Sequence, residues 1–93
     1  MNTVFGIGHY REEDYEEFLN LSEDREDMDD TWLEWKNNKT NAIKNLKNME
    51  IKPIDVLVIP KELVNYCREN GMKINGKSRS NFISFKVTQL NKK

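Results

Sequence analysis

The chain has 93 residues, with 15 Lys and Arg against 16 Asp and Glu, a formal net charge of −1 and only 37% hydrophobic residues. That length fits one domain spanning residues 1–93. Without an apolar run of 18 residues there is no membrane-spanning helix, and Met1-Asn2-Thr3-Val4-Phe5 is too short for a secretory apolar region, so a cytoplasmic protein is expected. One cysteine, Cys67, and one histidine, His9, exclude a disulfide framework and a four-ligand zinc site. No metal and no cofactor is therefore expected.

Thr3-Val4-Phe5-Gly6-Ile7-Gly8 is β-branched and aromatic in part and closes on glycines, which predicts a buried strand ending in a turn. From Arg11 to about Ser22, Tyr15, Phe18, Leu19 and Leu21 recur mostly at helical spacing among acidic residues, which predicts a short acidic helix. The run from Glu23 to Asp30 has no apolar period and is expected to be a solvated loop. Thr31 followed by Glu34 forms a capping box, with Asp29 and Asp30 beside the positive end of the helix dipole. Behind that cap, Trp32, Trp35, Ala42, Ile43, Leu46 and Met49 fall on one stripe of a helix about five turns long.

Pro53 and Pro60 bracket a β-branched run, so a buried second strand is expected at Ile54 to Ile59. Pro60 suits the first turn of a helix, and Leu63, Val64 and Cys67 continue it to about Asn70, where Gly71 stops it in a left-handed conformation. Asn75-Gly76 marks a further turn. From Lys77 to Leu90 two patterns compete: Ile83, Phe85 and Val87 alternate as in a strand, while Ile83, Val87 and Leu90 share a helical face. The expected fold is α/β, with α+β as the alternative: a two- or three-stranded sheet in the order strand, helix, helix, strand, helix, and helix or strand. The strand–helix–strand connection favours parallel neighbours. Two strands alone make a marginal sheet, so either the tail adds a third or an open edge pairs with a second copy.

Conventional catalytic and ligand motifs fail at decisive positions. Gly6-Ile7-Gly8 opens a dinucleotide fingerprint, but position 11 is Arg11 where glycine is needed, and Glu12, Glu13 and Asp14 would repel a phosphate. Asp27-x-Asp29-x-Thr31 begins like a calcium loop, yet Trp32 stands where the sharp turn requires glycine. Cys67 and His9 are the available nucleophile and base, and Cys67 lies on an apolar stripe where it reads as a packing residue.

Charge is divided along the chain: residues 1–35 hold 12 acids and 2 bases, residues 36–93 hold 13 bases and 4 acids. The halves are expected to face one another, in the fold or in a dimer. Alternatively Lys73, Lys77, Arg79, Lys86, Lys92 and Lys93 form a basic face for phosphates, or the acidic half mimics nucleic acid or docks on a basic partner. Trp32 and Trp35, three apart on one helical face, anchor either the core or an interface.

Asp30-Thr31-Trp32-Leu33-Glu34-Trp35, Tyr66-Cys67-Arg68-Glu69-Asn70-Gly71 and Gly76-Lys77-Ser78-Arg79-Ser80 together resemble a family of small uncharacterised bacterial proteins without an assigned activity. The resemblance implies a bacterial, intracellular α/β protein whose last segment is helical. The expected function is that of a non-enzymatic binding or regulatory protein working through protein contacts, as a homodimer or with another protein. Trp32, Trp35, Arg68, Lys77, Arg79 and Lys86 are the candidate binding residues. A nucleic-acid-binding accessory factor using the basic C-terminal half is the alternative, and an acidic docking protein the second.

Overall fold

The computed structural model describes residues 3–91 and has the order strand, helix, helix, strand, helix, helix. Strands β1 (Thr3–His9) and β2 (Ile51–Leu57) form a parallel two-stranded sheet, with Thr3 beside Ile51 and His9 beside Leu57. The fold is α/β. The tail is helix and not a third strand.

The second strand begins earlier than the bracketing prolines suggest, because Pro53 lies inside it. The His9 carbonyl accepts from the Val58 N–H at 3.0 Å. In a parallel pair this fixes the alternation: Thr3, Phe5, Ile7 and His9 turn their peptide groups to β2, while Ile51, Pro53, Asp55 and Leu57 turn theirs to its outer edge. The N–H that Pro53 lacks is thus one the ladder never uses. Nor is β2 buried as expected. Among its residues only Val56 is buried, since a sheet of two strands is too narrow to hide both faces.

Helix α1 (Glu12–Leu21) buries Tyr15, Phe18 and Leu19 and carries Glu12, Glu13 and Asp14 in its first turn, where the dipole favours them. The acidic segment that follows contains a short 3-10 turn at Arg25–Asp27. Helix α2 (Trp32–Asn48) starts at Thr31, whose hydroxyl accepts from the Glu34 N–H at 3.1 Å and donates to the Glu34 carboxylate at 3.0 Å. Its apolar stripe is only half covered. No residue of α2 is buried, and Ala42 and Met49 are exposed.

Helix α3 (Pro60–Glu69) has Pro60 in its first turn and ends at Gly71, which takes φ 63° and lets the Met72 N–H reach the Cys67 carbonyl at 2.8 Å. Helix α4 (Gly76–Asn91) settles the ambiguity of the tail through its cap. The Ser78 N–H donates to Asn75 Oδ1 at 3.0 Å, the Asn75 N–H donates to Ser78 Oγ at 2.9 Å, and the Gly76 N–H donates to Asp24 at 2.9 Å. Three orphan donors are satisfied in this one turn.

The core lies beyond the C-terminal ends of the strands, where Tyr10, Phe18, Val58, Leu63, Cys67 and Phe82 meet. From there α4 runs back along the sheet over Gly6 and Gly8. A Cβ on Gly6 would sit 2.6 Å from Val87 Cγ2 and 3.0 Å from Ile83 Cγ2, so glycine is what permits this approach. Among the described residues no helix is long and apolar enough to cross a membrane. Gly6→Ala should cost about 1–3 kcal/mol through overpacking, and adding Val87→Ala should restore part of it. Urea denaturation of the single and double variants measures both effects.

Candidate functional site

The alternation that gives Phe5 and Ile7 to β2 leaves the N–H and C=O groups of Val4, Gly6 and Gly8 aimed at the other edge of β1. Within the described residues no hydrogen bond reaches them. At its far end this edge is closed: the Trp32 indole N–H donates to the Tyr10 carbonyl at 2.7 Å. Between Val4 and Gly8 it is the floor of a groove of about 840 Å³. Ala42, Asn45 and Leu46 of α2 form one wall, and Ile83, Ser84 and Val87 of α4 the other. None of the side chains lining it is charged. Val4 and Phe5 stand 41% and 57% exposed, apolar surface that the fold leaves to water.

On the α2 side of the sheet the fold gathers three residues far apart in sequence. Lys39 Nζ lies 2.9 Å from Asp55 Oδ1 and 3.1 Å from His9 Nδ1, and 5.5 Å above the Trp35 ring. An ammonium group only donates, so His9 Nδ1 accepts and the ring is neutral. Burial and the Lys39 charge both hold the His9 pKa below its usual value. The arrangement fixes the His9 tautomer and engages the lone pair at Nδ1. Cys67 is 2% exposed in the core, and no hydrogen bond joins it to His9. Among the described residues no group of His, Cys, Asp and Glu is assembled that would hold a metal ion.

The candidate residues from sequence end in different surroundings. Trp32 and Trp35 are half-buried and pack against the core, Trp35 with its ring 5.0 Å from that of Tyr10 and Trp32 with Lys36 5.0 Å above it. Arg79 is turned inward: its side chain is 11% exposed and donates to both Asp24 oxygens, at 3.0 and 2.8 Å, and to Ser22 Oγ at 3.0 Å. Lys86 lies 3.4 Å from Glu62, and Lys73 lies 3.2 Å from Glu23. Arg68 and Lys77 are exposed on α3 and α4. No hydrogen bond, ion pair or cation–π contact links either to the tryptophans. Lys92 and Lys93 lie outside the described residues.

The divided charge is used in part inside the fold, where Glu23 meets Lys73, Asp24 meets Arg79, and Asn38 donates to Asp29 at 3.0 Å. The Arg79 guanidinium holds the Asp24 carboxyl below its usual pKa, assisted by the Gly76 N–H. Burial pushes the Tyr15 phenol up to about 12, its hydroxyl donating to the Asp29 carbonyl at 2.7 Å.

No protein-family model matches this sequence, and no curated protein or solved structure matches it significantly.

Sequence reasoning missed the groove because it joins an N-terminal strand to the faces of two distant helices. It also missed the Lys39 cluster. The only advance signal for the groove was the absence of charge and proline from residues 3–8.

Arg79→Met should lower stability at neutral pH by about 3 kcal/mol, because it strands the Asp24 carboxylate in a partly buried place. The Asp24 carboxyl titrates below its unfolded value of 3.8. Its contribution is complete above that value and is lost as pH falls through the lower folded one. Denaturant titrations between about pH 5 and pH 2 should give the variant a flatter acid limb than the parent.

Proposed function

We infer that this chain is a non-enzymatic binding protein that works through contacts with protein, and that the groove along β1 is where it binds. One observation carries the reading: a strand edge with unpaired peptide groups, flanked by uncharged and partly apolar walls, lies open in a chain that is 33% charged. Exposed edges are normally blunted by lysine, proline or a bulge, and an edge left unblunted invites strand addition. The opposite edge supports the contrast, since β2 presents Pro53, which has no N–H to offer, there. Phosphate recognition is less well supported, because Arg79 and Lys86 already hold Asp24 and Glu62.

The test is a photoreactive phenylalanine analogue placed at Ala42, in the groove wall, in cells that produce the protein. Illumination should yield adducts with a polypeptide, whether another protein or a second copy. The same group at Lys61, exposed at the start of α3, should not. Adducts from neither position would overturn the reading.

A further inference from the structure

We propose that the open edge of β1 pairs with the same edge of a second copy, antiparallel about a two-fold axis at Gly6, giving a four-stranded sheet in the order β2-β1-β1-β2. The inference rests on the groove being a protein-docking surface and names its occupant.

The register follows from which groups point outward. With Gly6 opposite the Gly6 of the other copy, Val4 lies opposite Gly8 and Gly8 opposite Val4, and each pair exchanges two N–H···O=C bonds. Val4, Gly6 and Gly8 share the face covered by α4, where Ile83 and Val87 fill the space over the two glycines, so each Val4 side chain would pack beside the Ile83 that covers Gly8 of the other copy. Sliding the pairing by two residues toward Tyr10 would bring up a carbonyl that Trp32 already occupies.

Charge and size fit a copy of the same chain. A two-fold contact sets each wall against its own duplicate, so any charge would face its like; this lining has none. On the outer flank of α4, Ser80, Ser84 and Thr88 recur every four residues, exposed and short. They leave room for the two α4 helices to lie side by side at about 8–10 Å. Four strands at about 4.8 Å span roughly 19 Å, the width of two such helices. One copy carries one helix on each face of two strands, so two copies tile both faces of four.

The assembly also closes. Pro53 withholds a donor from the outer edge of β2, so growth stops at two copies. The joined strip, about 23 Å long at roughly 3.3 Å per residue and about 20 Å deep through two helix layers, projects to roughly 460 Å² per copy. That is the small end of specific interfaces, the range of reversible contacts.

Sedimentation of the intact chain from about 1 μM to 1 mM tests this. The mass should rise from 11.1 kDa toward twice that value. Val4→Pro removes an outward N–H that the ladder with β2 does not use, and Ala42→Glu puts like charges across the axis from an exposed position. Both variants should stay at 11.1 kDa with unchanged circular dichroism. Should Val4→Pro fail to fold, Ala42→Glu alone decides. A wild-type chain that remains at 11.1 kDa throughout, or variants that associate as the parent does, would overturn the second copy. The photoreactive probe at Ala42 then separates two failures: adducts with a different polypeptide keep the docking groove and change its occupant, whereas no adduct removes both.

Discussion

A peptide group in a strand faces one neighbour or the other, and a sheet of two strands offers a partner on one side only. This constraint governs the protein. The bond from the Val58 N–H to the His9 carbonyl sets which residues turn inward, and every property of the two edges follows from it. One edge receives Pro53 and Asp55, and the other receives Val4, Gly6 and Gly8. Had the register slipped by one residue, Pro53 would have stood in the ladder and broken it.

The remaining structure compensates for so narrow a sheet. Its packed centre is displaced beyond the strand ends, where α1, α3 and the start of α4 close around Tyr10, Phe18 and Leu63. Polar groups lock that arrangement. The acidic segment after α1 is drawn onto the first turn of α4 by Asp24, which serves both Arg79 and the Gly76 N–H. An uneven charge distribution that resembles a binding signal in the sequence is thus partly a fastening device, joining Glu23 and Asp24 to bases some fifty residues later.

Much of the architecture was legible from the residues. Thr31 and Glu34 announce α2, Pro60 and Gly71 bracket α3, and the first strand needs only its β-branched and glycine pattern. The tail was ambiguous because Ile83, Phe85 and Val87 alternate as in a strand while Ile83, Val87 and Leu90 share a helical face. The reciprocal cap of Asn75 and Ser78 and the tertiary contact from Asp24 decide it, and the latter is invisible in a local window. Pro53 misled because a proline excludes a central position and not an edge. The site was less legible than the fold. Trp32 and Trp35 pack against the core, one of the two roles their spacing allows, and Arg79 is held by Asp24 and Ser22, while the groove is made of residues unremarkable one by one. His9, Lys39 and Asp55 likewise become neighbours only when α2 lies across the sheet.

Gly6 and Gly8 bind β1 to α4, two elements far apart in sequence. During synthesis β1 emerges long before β2 can pair with it, and longer still before α4 can cover it. Until β2 and α4 have emerged and packed, a neutral apolar ribbon waits with both edges and one face unshielded. Nascent chains on one message carry the same ribbon close together. A strand edge that the finished fold leaves unpaired is then a hazard that unfinished chains must escape.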